Sequence, residues 1–362
     1  MQTTPVFSWK DYSENVVRCC QCVMPVVPGR HELDEHGMCP CCQRHARQAN
    51  AQGRDCGKAS SFSQRSTEER ERIFVKKTAR LKPKDGPYDC VVAVSGGKDS
   101  LGTWYLARKI GLRTLGVFVD NGFALPEMYD NVRNAADVLG SDLIIYRTNE
   151  LKALFNILLA SRKPIYYCHV CHMLLDNCVR KVAKSNGLRL VLGGYTKGQN
   201  YIKQEELDWI FKITDKNVRT LLEDHLEFAD VLEQVCDPFR YSLKHFRDIT
   251  ELSPYTYFDY DEDEIIRLVT DELGFRAPAE SWPARSTNCL FNYVSQYLAV
   301  RQFGYSQHET ELSEMVRLGE MTREHALQTI KSPIPDKLLA KALEPLADDI
   351  TLGLITTQME VA

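Results

Sequence analysis

The sequence predicts an α/β fold built on a parallel, Rossmann-like sheet, with a cysteine-rich amino-terminal module and a mostly helical carboxy-terminal region. Three observations lead to this prediction. Apolar segments of strand length alternate with helix-like segments after residue 87, a glycine turn follows the first of them, and cysteines recur in close pairs. Strands that alternate with helices form parallel sheets. A length of 362 residues allows two or three domains.

The composition is that of an ordinary globular protein, with 44% hydrophobic and 26% charged residues and a net charge of −4. These values exclude a wholly disordered chain and a strongly basic nucleic-acid coat. We expect no membrane span and no secretion, because no run of about 18 apolar residues occurs. Thirteen cysteines without an export signal predict reduced, metal-binding thiols and a cytoplasmic location.

The amino-terminal module, residues 1–57, contains the pairs Cys19/Cys22 and Cys39/Cys42, separated by 16 residues. This spacing predicts a zinc ribbon, in which the metal supplies the folding energy that a short, turn-rich segment lacks. Two further cysteines lie inside the pairs, so either can replace a neighbour as ligand. The alternative is a set of buried cysteines without metal.

The next segment, residues 58–86, is predicted to be a basic helical arm or linker. Between Lys58 and Lys84 it carries nine Lys or Arg residues and three Glu residues. Two interpretations remain open: a surface that binds RNA, and a solvated helix face.

Residues 87–251 are predicted to form the sheet domain, which begins with a strand, a loop and a helix. Two glycines let the loop backbone turn tightly, and the helix behind it directs N–H groups at a bound anion. We expect the serine hydroxyls to bind phosphate oxygens, Lys98 to neutralise charge and Asp99 to reach a magnesium ion. A Walker loop is excluded, because Val92 stands where its first glycine belongs. The loop residues are Ser95, Gly96, Gly97, Lys98, Asp99 and Ser100.

Later strands are predicted in the segments TLGVFVD, DLIIYRT and LRLVLGG, with helices between them. Gly194 and the nearby Lys197 and Gln199 follow the last of these strands, at the sheet edge where ligands of such folds bind. Residues 252–362 are predicted to be mostly helical, with helices in EDEIIRLVTDELG, NYVSQYLAVRQFG and TREHALQTI.

A second cysteine pair, Cys168 and Cys171, lies within the sheet domain. Its third partner is Cys178, Cys236 or Cys289, and we favour Cys289. Three cysteines leave one position of a metal cluster open for substrate or sulfur. A structural zinc completed by His169 or His172 and a redox-active pair are the alternatives.

The Ser95–Ser100 loop resembles the SGGxDS loop of the PP-loop ATP pyrophosphatases, which have a HUP-type fold. The segment Val119, Asp120, Asn121 and Gly122 resembles the VDNG segment of that superfamily, which lines the adenosine site. The resemblance implies an enzyme that cleaves ATP between its α and β phosphates and adenylates a substrate oxygen. It also implies that Asp120 lies near the ribose or base.

The chain resembles two branches of that superfamily, the first over most of its length and the second in the order and type of its motifs. The N-acetyl sugar amidotransferases of surface-polysaccharide biosynthesis share the paired amino-terminal cysteines, and their carboxy-terminal pattern is matched by Phe303-Gly304-Tyr305, Arg317 and Met321-Thr322-Arg323-Glu324. This branch implies nitrogen transfer from a glutaminase partner.

The second branch is the iron–sulfur thiolases that modify transfer RNA. Its order of zinc module, SGGxDS loop, CxxC pair and one later cysteine is matched by Cys19 to Cys42, Ser95 to Ser100, Cys168/Cys171 and Cys289. This branch implies a 4Fe-4S cluster on the last three cysteines and sulfur from sulfide or a donor protein.

Together, these features predict an ATP- and Mg²⁺-dependent enzyme that adenylates a substrate oxygen and replaces it with sulfur. The expected acceptor is a nucleotide, base or sugar, or a tRNA, and a homodimer is compatible with the sequence. Nitrogen transfer is the alternative, and a non-enzymatic zinc-ribbon binding protein is the third hypothesis.

Overall fold

The computed structural model describes residues 9–52, 65–196, 205–279, 288–331, 334 and 336–346. The expected substrate contacts Lys197 and Gln199, and residues 58–64 of the basic arm, lie outside this part of the chain. The helices, numbered α1 to α15 in chain order, are Trp9–Asn15, Pro40–Gln52, Thr67–Leu81, Lys98–Lys109, Pro126–Leu139, Glu150–Ala160, Tyr167–Ser185, Glu205–Leu222, Ala229–Cys236, Pro238–Phe246, Glu262–Leu273, Phe291–Phe303, Gln307–Arg317, Arg323–Lys331 and Asp336–Leu343. The strands β1 to β5 are Cys90–Ala93, Thr114–Asp120, Asp142–Arg147, Leu190–Leu192 and Thr250–Leu252.

The five strands form one parallel sheet in the order β3-β2-β1-β4-β5. This arrangement confirms the predicted α/β fold. The strand order reverses between β1 and β4, and in open α/β sheets ligands bind in the crevice at the carboxyl ends of the strands at such a point. β5 was not predicted, and it extends the sheet by pairing with β4.

Helices cover both faces of the sheet, as the continuous apolar strands require. Successive residues of β1 point to opposite faces. Val92 packs in the cluster that contains Trp104 of α4, whereas Val91 packs with Val179 of α7. The helix that follows the glycine loop is thereby fixed against the sheet.

The predicted helix ends are confirmed where glycine adopts a left-handed conformation. Gly140 ends α5 with φ 55°, and Gly274 ends α11 with φ 65°. Asp261 begins α11 by accepting the N–H of Glu264 on its side chain, as expected for an N-cap. Within the described residues, no helix has the length and apolar character needed to cross a membrane.

The amino-terminal module shares a hydrophobic core with distant parts of the chain. Cys19 and Cys22 lie in one buried cluster with Leu207 of α8 and with Phe303 and Tyr305. The FGY segment that resembles the amidotransferases therefore packs against the cysteine module.

Charged groups reinforce this packing. The Arg18 guanidinium meets the carboxylate of Glu309, in α13, at 2.7 Å, and both side chains are almost fully buried. Arg323, the first residue of α14, donates to the carbonyl oxygens of Cys19 and Cys22, each at 2.9 Å. Helices α13 and α14 are thus held directly by the backbone of the cysteine module.

Candidate active site

The two serines of the glycine loop between β1 and α4 form hydrogen bonds that stabilise the loop conformation. The Ser100 hydroxyl donates to the carbonyl of Gly97 at 3.0 Å and accepts the N–H of Ser95 at 3.0 Å. Asn288 donates its side-chain amide to the Ser95 hydroxyl at 2.8 Å. The first turn of α4 presents N–H groups that lack acceptors within the helix. This geometry suits an anion such as pyrophosphate.

Close approaches explain two of the glycines at this loop. Gly96 has φ 78°, and a Cβ there would lie 2.5 Å from the carbonyl oxygen of Met128 in α5. Gly194, after β4, lies so close to α4 that a Cβ would come within 2.7 Å of the Ser100 nitrogen. The loops after β1 and β4 therefore touch at the start of α4, where the strand order reverses.

Lys98 is almost fully buried and has two carboxylate partners. Its ammonium lies 2.9 Å from Asp99 and 3.2 Å from Glu262. Burial alone would lower the pKa of Lys98, but the two carboxylates outweigh it and raise the pKa above its ordinary value. Lys98 is therefore a permanent cation at the phosphate loop.

The expected magnesium role of Asp99 stays a prediction, and both oxygens of its carboxylate have protein partners in the structure. One carboxylate oxygen of Asp99 meets Lys98, and the other accepts the hydroxyl of Tyr260 at 2.8 Å. Asp99 lines the cavity but is already engaged with protein groups, so a metal ion there must displace one of them. No sequence motif indicates that Tyr260 and Glu262 belong to the site.

The VDNG segment forms two successive side-chain-stabilised turns. Asp120 accepts the N–H of Gly122 at 2.8 Å, and Asn121 accepts the N–H of Phe123 at 2.9 Å. The other oxygen of Asp120 lies 3.5 Å from Arg147 of the edge strand β3. Asp120 thus stabilises the turn, and its expected position near the ribose or base stays a prediction.

The residues that follow this turn position Cys289. The Leu125 N–H bonds to the carbonyl of Asn288 at 3.0 Å, the Leu290 N–H bonds to that of Phe123 at 2.8 Å, and Ala124 faces Cys289 in an antiparallel bridge. This short backbone pairing therefore places Asn288 beside the phosphate loop and Cys289 beside the VDNG turn.

Asn121 brings two of the predicted core cysteines together. Its side-chain nitrogen donates to the sulfur of Cys171 at 3.6 Å and to that of Cys289 at 3.5 Å. Cys168 lies in the first turn of α7, and its thiol donates to the side-chain oxygen of Asn292 at 3.6 Å. Burial raises the pKa of Cys168 to about 12 and raises the pKa values of Cys171 and Cys289.

Of the other candidate ligands, His172 lines the same cavity as Cys168 and Cys171, whereas the remaining ones have partners elsewhere. The Cys236 thiol donates to the carbonyl of Asp215 at 3.3 Å, and Cys178 neighbours the charged groups of Lys181 and Asp230. His169 is held by Asp215 at 2.9 Å and stacks on Phe211. Of the three cysteines considered as the third ligand, Cys289 is the one that lines the same cavity as Cys168 and Cys171.

The phosphate loop and the three thiols line one cavity of about 430 Å³. Asn288, Asn292 and Gln296 follow each other at four-residue spacing and all line it. Asn288 bonds to Ser95 and Asn292 accepts the thiol of Cys168. Gln296 accepts the backbone N–H of His308 at 3.4 Å. These amides were not among the predicted site residues, although their four-residue spacing at the start of a helix indicates that they share one face.

The far wall of the cavity comes from α13 and α14. Gln307 accepts the hydroxyl of Tyr166 and donates to Glu311, so its side-chain amide has a fixed orientation. Burial lowers the pKa of His308 to about 4, so the imidazole is neutral at pH 7. This wall therefore offers the neutral hydrogen-bonding groups of Gln307 and His308 together with the carboxylate of Glu311.

A second group of cysteines lies in the amino-terminal module. The sulfurs of Cys19, Cys22, Cys39 and Cys42 all lie within 4.8 Å of one another and are buried. Arg317 donates to the Cys22 sulfur at 3.8 Å. Four converging thiols match the ligand set of a structural zinc site. Cys20 is exposed and bonds to the carbonyl of His36, outside this group.

The spacing of sulfurs distinguishes the two groups. Among the residues described, only the amino-terminal cysteines form a set of three or more ligand atoms within 4.8 Å. Two sulfurs on one zinc ion lie at most about 4.6 Å apart, twice the Zn–S bond length. Cys168, Cys171 and Cys289 do not form such a set among the described residues, and the metal that they would hold stays a prediction.

Two family models match the chain. Residues 89–195, which contain β1 to β4 and the glycine loop, match the phosphoadenosine phosphosulfate reductase domain. Residues 287–353 match the carboxy-terminal domain of WbpG-like LPS biosynthesis proteins. With its parallel sheet and glycine loop, the segment 89–195 is therefore similar to the nucleotide-binding domains of the PP-loop superfamily.

Individual relatives are distant. An uncharacterized protein of Methanocaldococcus jannaschii is 25% identical over 254 residues, which cover 70% of this chain and 76% of that protein. The tRNA-5-methyluridine(54) 2-sulfurtransferase of Thermotoga maritima is 27% identical over 110 residues, 29% of this chain and 36% of the relative. The solved U34-tRNA thiolase NcsA from Methanococcus maripaludis, with its [4Fe-4S] cluster, shares 15% identity over 86% of this chain and 88% of that chain, at a TM-score of 0.36.

Proposed function

We propose that this protein adenylates a substrate carbonyl or amide oxygen with ATP and replaces that oxygen with sulfur. The observation that carries the proposal is the shared cavity, which the phosphate loop and the thiols of Cys168, Cys171 and Cys289 line together. An activated substrate can then meet a sulfur centre without leaving the protein.

The activation step uses the residues at the start of α4. The loop N–H groups and the Ser95 and Ser100 hydroxyls bind the β and γ phosphates of ATP, and Lys98 offsets their charge. A substrate oxygen attacks the α phosphorus, and pyrophosphate leaves. Asp99 and Glu262 are the carboxylates at this end of the cavity that would hold Mg²⁺, in exchange for their contacts with Lys98 and Tyr260.

The replacement step depends on the three thiols. Cys168, Cys171 and Cys289 would hold a 4Fe-4S cluster, which supplies an iron with an open position for sulfide. The remaining residues confine the activated substrate beside these sulfurs, and AMP leaves as the new C–S bond forms. Sulfide or a sulfur-donor protein supplies the sulfur, and the acceptor is a small nucleotide, base or sugar, or a tRNA. The similarity to a tRNA sulfurtransferase over 110 residues supports sulfur as the transferred atom.

The four-cysteine site has a separate, structural role in this proposal. We assign zinc to Cys19, Cys22, Cys39 and Cys42, because four buried thiols that converge on one point suit its tetrahedral coordination. Bound metal would hold the module on which α13 and α14 are docked.

A second candidate function is amidotransfer to an N-acetyl sugar, with ammonia from a glutaminase partner. The match of residues 287–353 to WbpG-like proteins favours it, because this segment builds the far wall of the cavity with Gln307, His308 and Glu311. The activation step is the same in both proposals, and only the nucleophile differs.

The two functions separate in one assay. Anaerobically reconstituted protein is incubated with ATP, Mg²⁺, a candidate acceptor and either sulfide or ammonia. The products are identified by mass spectrometry. We expect AMP, pyrophosphate and an oxygen-to-sulfur exchange, and a Cys168→Ala variant that loses the sulfur product. Nitrogen incorporation that Cys168→Ala retains would contradict sulfur transfer and support the second candidate.

A further inference from the structure

The side chain of Asn121 has an orientation that its surroundings fix. A backbone N–H can only donate a hydrogen bond, so the atom of Asn121 that meets the Phe123 nitrogen at 2.9 Å must be the carbonyl oxygen. The amide nitrogen therefore points the other way, toward the cavity. Asn121 is 7% exposed, which leaves it little freedom to turn.

The two amide hydrogens of Asn121 meet two sulfurs from distant parts of the chain. Cys171 lies 50 residues after Asn121 and Cys289 lies 168 residues after it, at distances of 3.6 and 3.5 Å from the amide nitrogen. One –NH₂ group has two donors, and here two sulfurs accept from it. A hydrogen bond to a charged sulfur is stronger than one to a neutral thiol. The arrangement therefore suits sulfurs that carry negative charge, as metal-bound thiolates do.

The backbone around Asn121 adds to this arrangement. The turn that fixes its side chain continues into the pairing of Ala124 with Cys289. The same six residues, 120–125, therefore set both the position of one sulfur and the direction of the donor that meets it. Asp120 and Gly122 complete the turn, the first as an acceptor and the second with φ 84°.

We propose that Asn121 is a positioning residue of the three-cysteine centre, which fixes Cys171 and Cys289 by donating one N–H to each ligand sulfur. The proposal rests on the cluster assigned above. Groups that orient metal ligands are commonly worth about 10- to 100-fold in metal affinity. Hydrogen bonds to ligand sulfurs also stabilise the reduced, more negative state of a cluster and so raise its reduction potential. This role differs from the adenosine contact that the VDNG resemblance implies, because both ends of the Asn121 amide are already used.

Two substitutions and a matched control test the proposal. Asn121→Asp keeps the shape and the acceptor for Phe123 but removes both donors, and Asn121→Ala removes the whole amide. Asn177→Ala is the control, since Asn177 is a buried asparagine of α7 that donates to Gln234 at 3.0 Å, away from the sulfurs. Each protein is reconstituted anaerobically with iron and sulfide. The measurements are bound iron, acid-labile sulfide, reduction potential, zinc and ATP affinity.

We expect both Asn121 variants to keep zinc and ATP affinity and to lose iron affinity by about 10- to 100-fold. When loaded with excess iron, they should show a lowered reduction potential, most of all in Asn121→Asp, whose carboxylate repels the reduced cluster. Asn177→Ala should match the wild type. Wild-type iron affinity and potential in both Asn121 variants would overturn this inference alone. A wild-type protein that binds no iron would overturn the inference and the proposed sulfur transfer together.

Discussion

At the scale of single residues, charge is arranged around Lys98 so that the phosphate loop carries a cation without a net positive patch. Asp99 and Glu262 both touch the ammonium, and they keep it protonated despite burial. A bound phosphate chain competes with these carboxylates for Lys98. If the loop binds ATP as proposed, the balance between them contributes to the ATP affinity.

This balance predicts opposite effects for two substitutions. Lys98→Met should weaken ATP binding by about 10- to 100-fold, because it removes a charge-assisted contact and leaves two carboxylates facing phosphate. Glu262→Gln should leave ATP binding unchanged or strengthen it. Lys77→Met is the control, since Lys77 bonds to Tyr257 at 3.0 Å outside the cavity. Calorimetric titration with ATP measures all three, and equal affinities for Lys98→Met and wild type would contradict the assignment.

His308 predicts how stability depends on pH. Burial lowers its pKa in the folded protein from 6.5 to about 4, so the unfolded chain binds the additional proton between these values. Stability is therefore fully present above pH 6.5 and is lost as pH falls toward 4, by on the order of 3 kcal/mol. His308→Gln should flatten the fall in melting temperature between pH 7 and pH 4.5. An unchanged slope in this variant would show that His308 is not buried as a neutral imidazole.

Residue identity also limits what the sequence could predict. The pairing of Cys168 with Cys171 was predictable, because paired cysteines are a strong pattern, whereas the metal-binding role of these two and of Cys289 stays a prediction. The turn contacts of Asn121 and Asp120 were not predictable, since an amide and a carboxylate at a strand end suit a ligand or a turn equally well. Their side chains accept hydrogen bonds from the backbone of Phe123 and Gly122, and local sequence does not report these contacts.

At the scale of elements, the four strands that contain apolar segments were predictable and β5 was not. β1, β2 and β4 are apolar and largely buried. The edge strand β3 is mostly exposed, and it follows the glycine turn at Gly140. β5 consists of Thr250, Glu251 and Leu252, which show neither alternation nor an apolar run. It is a strand because β4 offers it a partner, and that contact is non-local. The same holds for the far wall of the cavity, whose helices were predicted without their placement.

The cysteine module and helix α14 form another such long-range contact, and it leads to a prediction. Arg323 begins α14 and bonds to carbonyls of Cys19 and Cys22, so loss of metal should loosen α14. We expect Cys39→Ser to lose zinc and to exchange the α14 amide hydrogens at least about tenfold faster, which corresponds to about 1.4 kcal/mol. Mass spectrometry of hydrogen exchange measures it.

Cys20→Ser provides the control for this experiment, because Cys20 is an exposed cysteine of the same module outside the four-thiol group. It should keep zinc and wild-type exchange. Loss of zinc from Cys39→Ser without any change in α14 would mean that the module and the cavity wall are independent.

At the scale of the whole molecule, three separate segments meet in one cavity. The glycine loop comes from the start of the sheet domain, Cys168 and Cys171 from a crossover helix, and Cys289 from the segment that leads into the carboxy-terminal helices. The fold class and the ATP loop were predictable because they are local patterns. Their meeting with the cysteines was expected only from resemblance, since it depends on pairings such as Ala124 with Cys289.

The central claim is that this meeting point holds an iron–sulfur centre separate from the zinc site, and metal analysis tests it most directly. The protein and its Cys289→Ala variant are purified anaerobically, and iron, acid-labile sulfide, zinc and the visible absorption spectrum are measured. The account predicts about four irons per chain with one zinc in the wild type, and loss of the iron and of the colour, but not of the zinc, in Cys289→Ala. A colourless wild-type protein that contains zinc alone would contradict it.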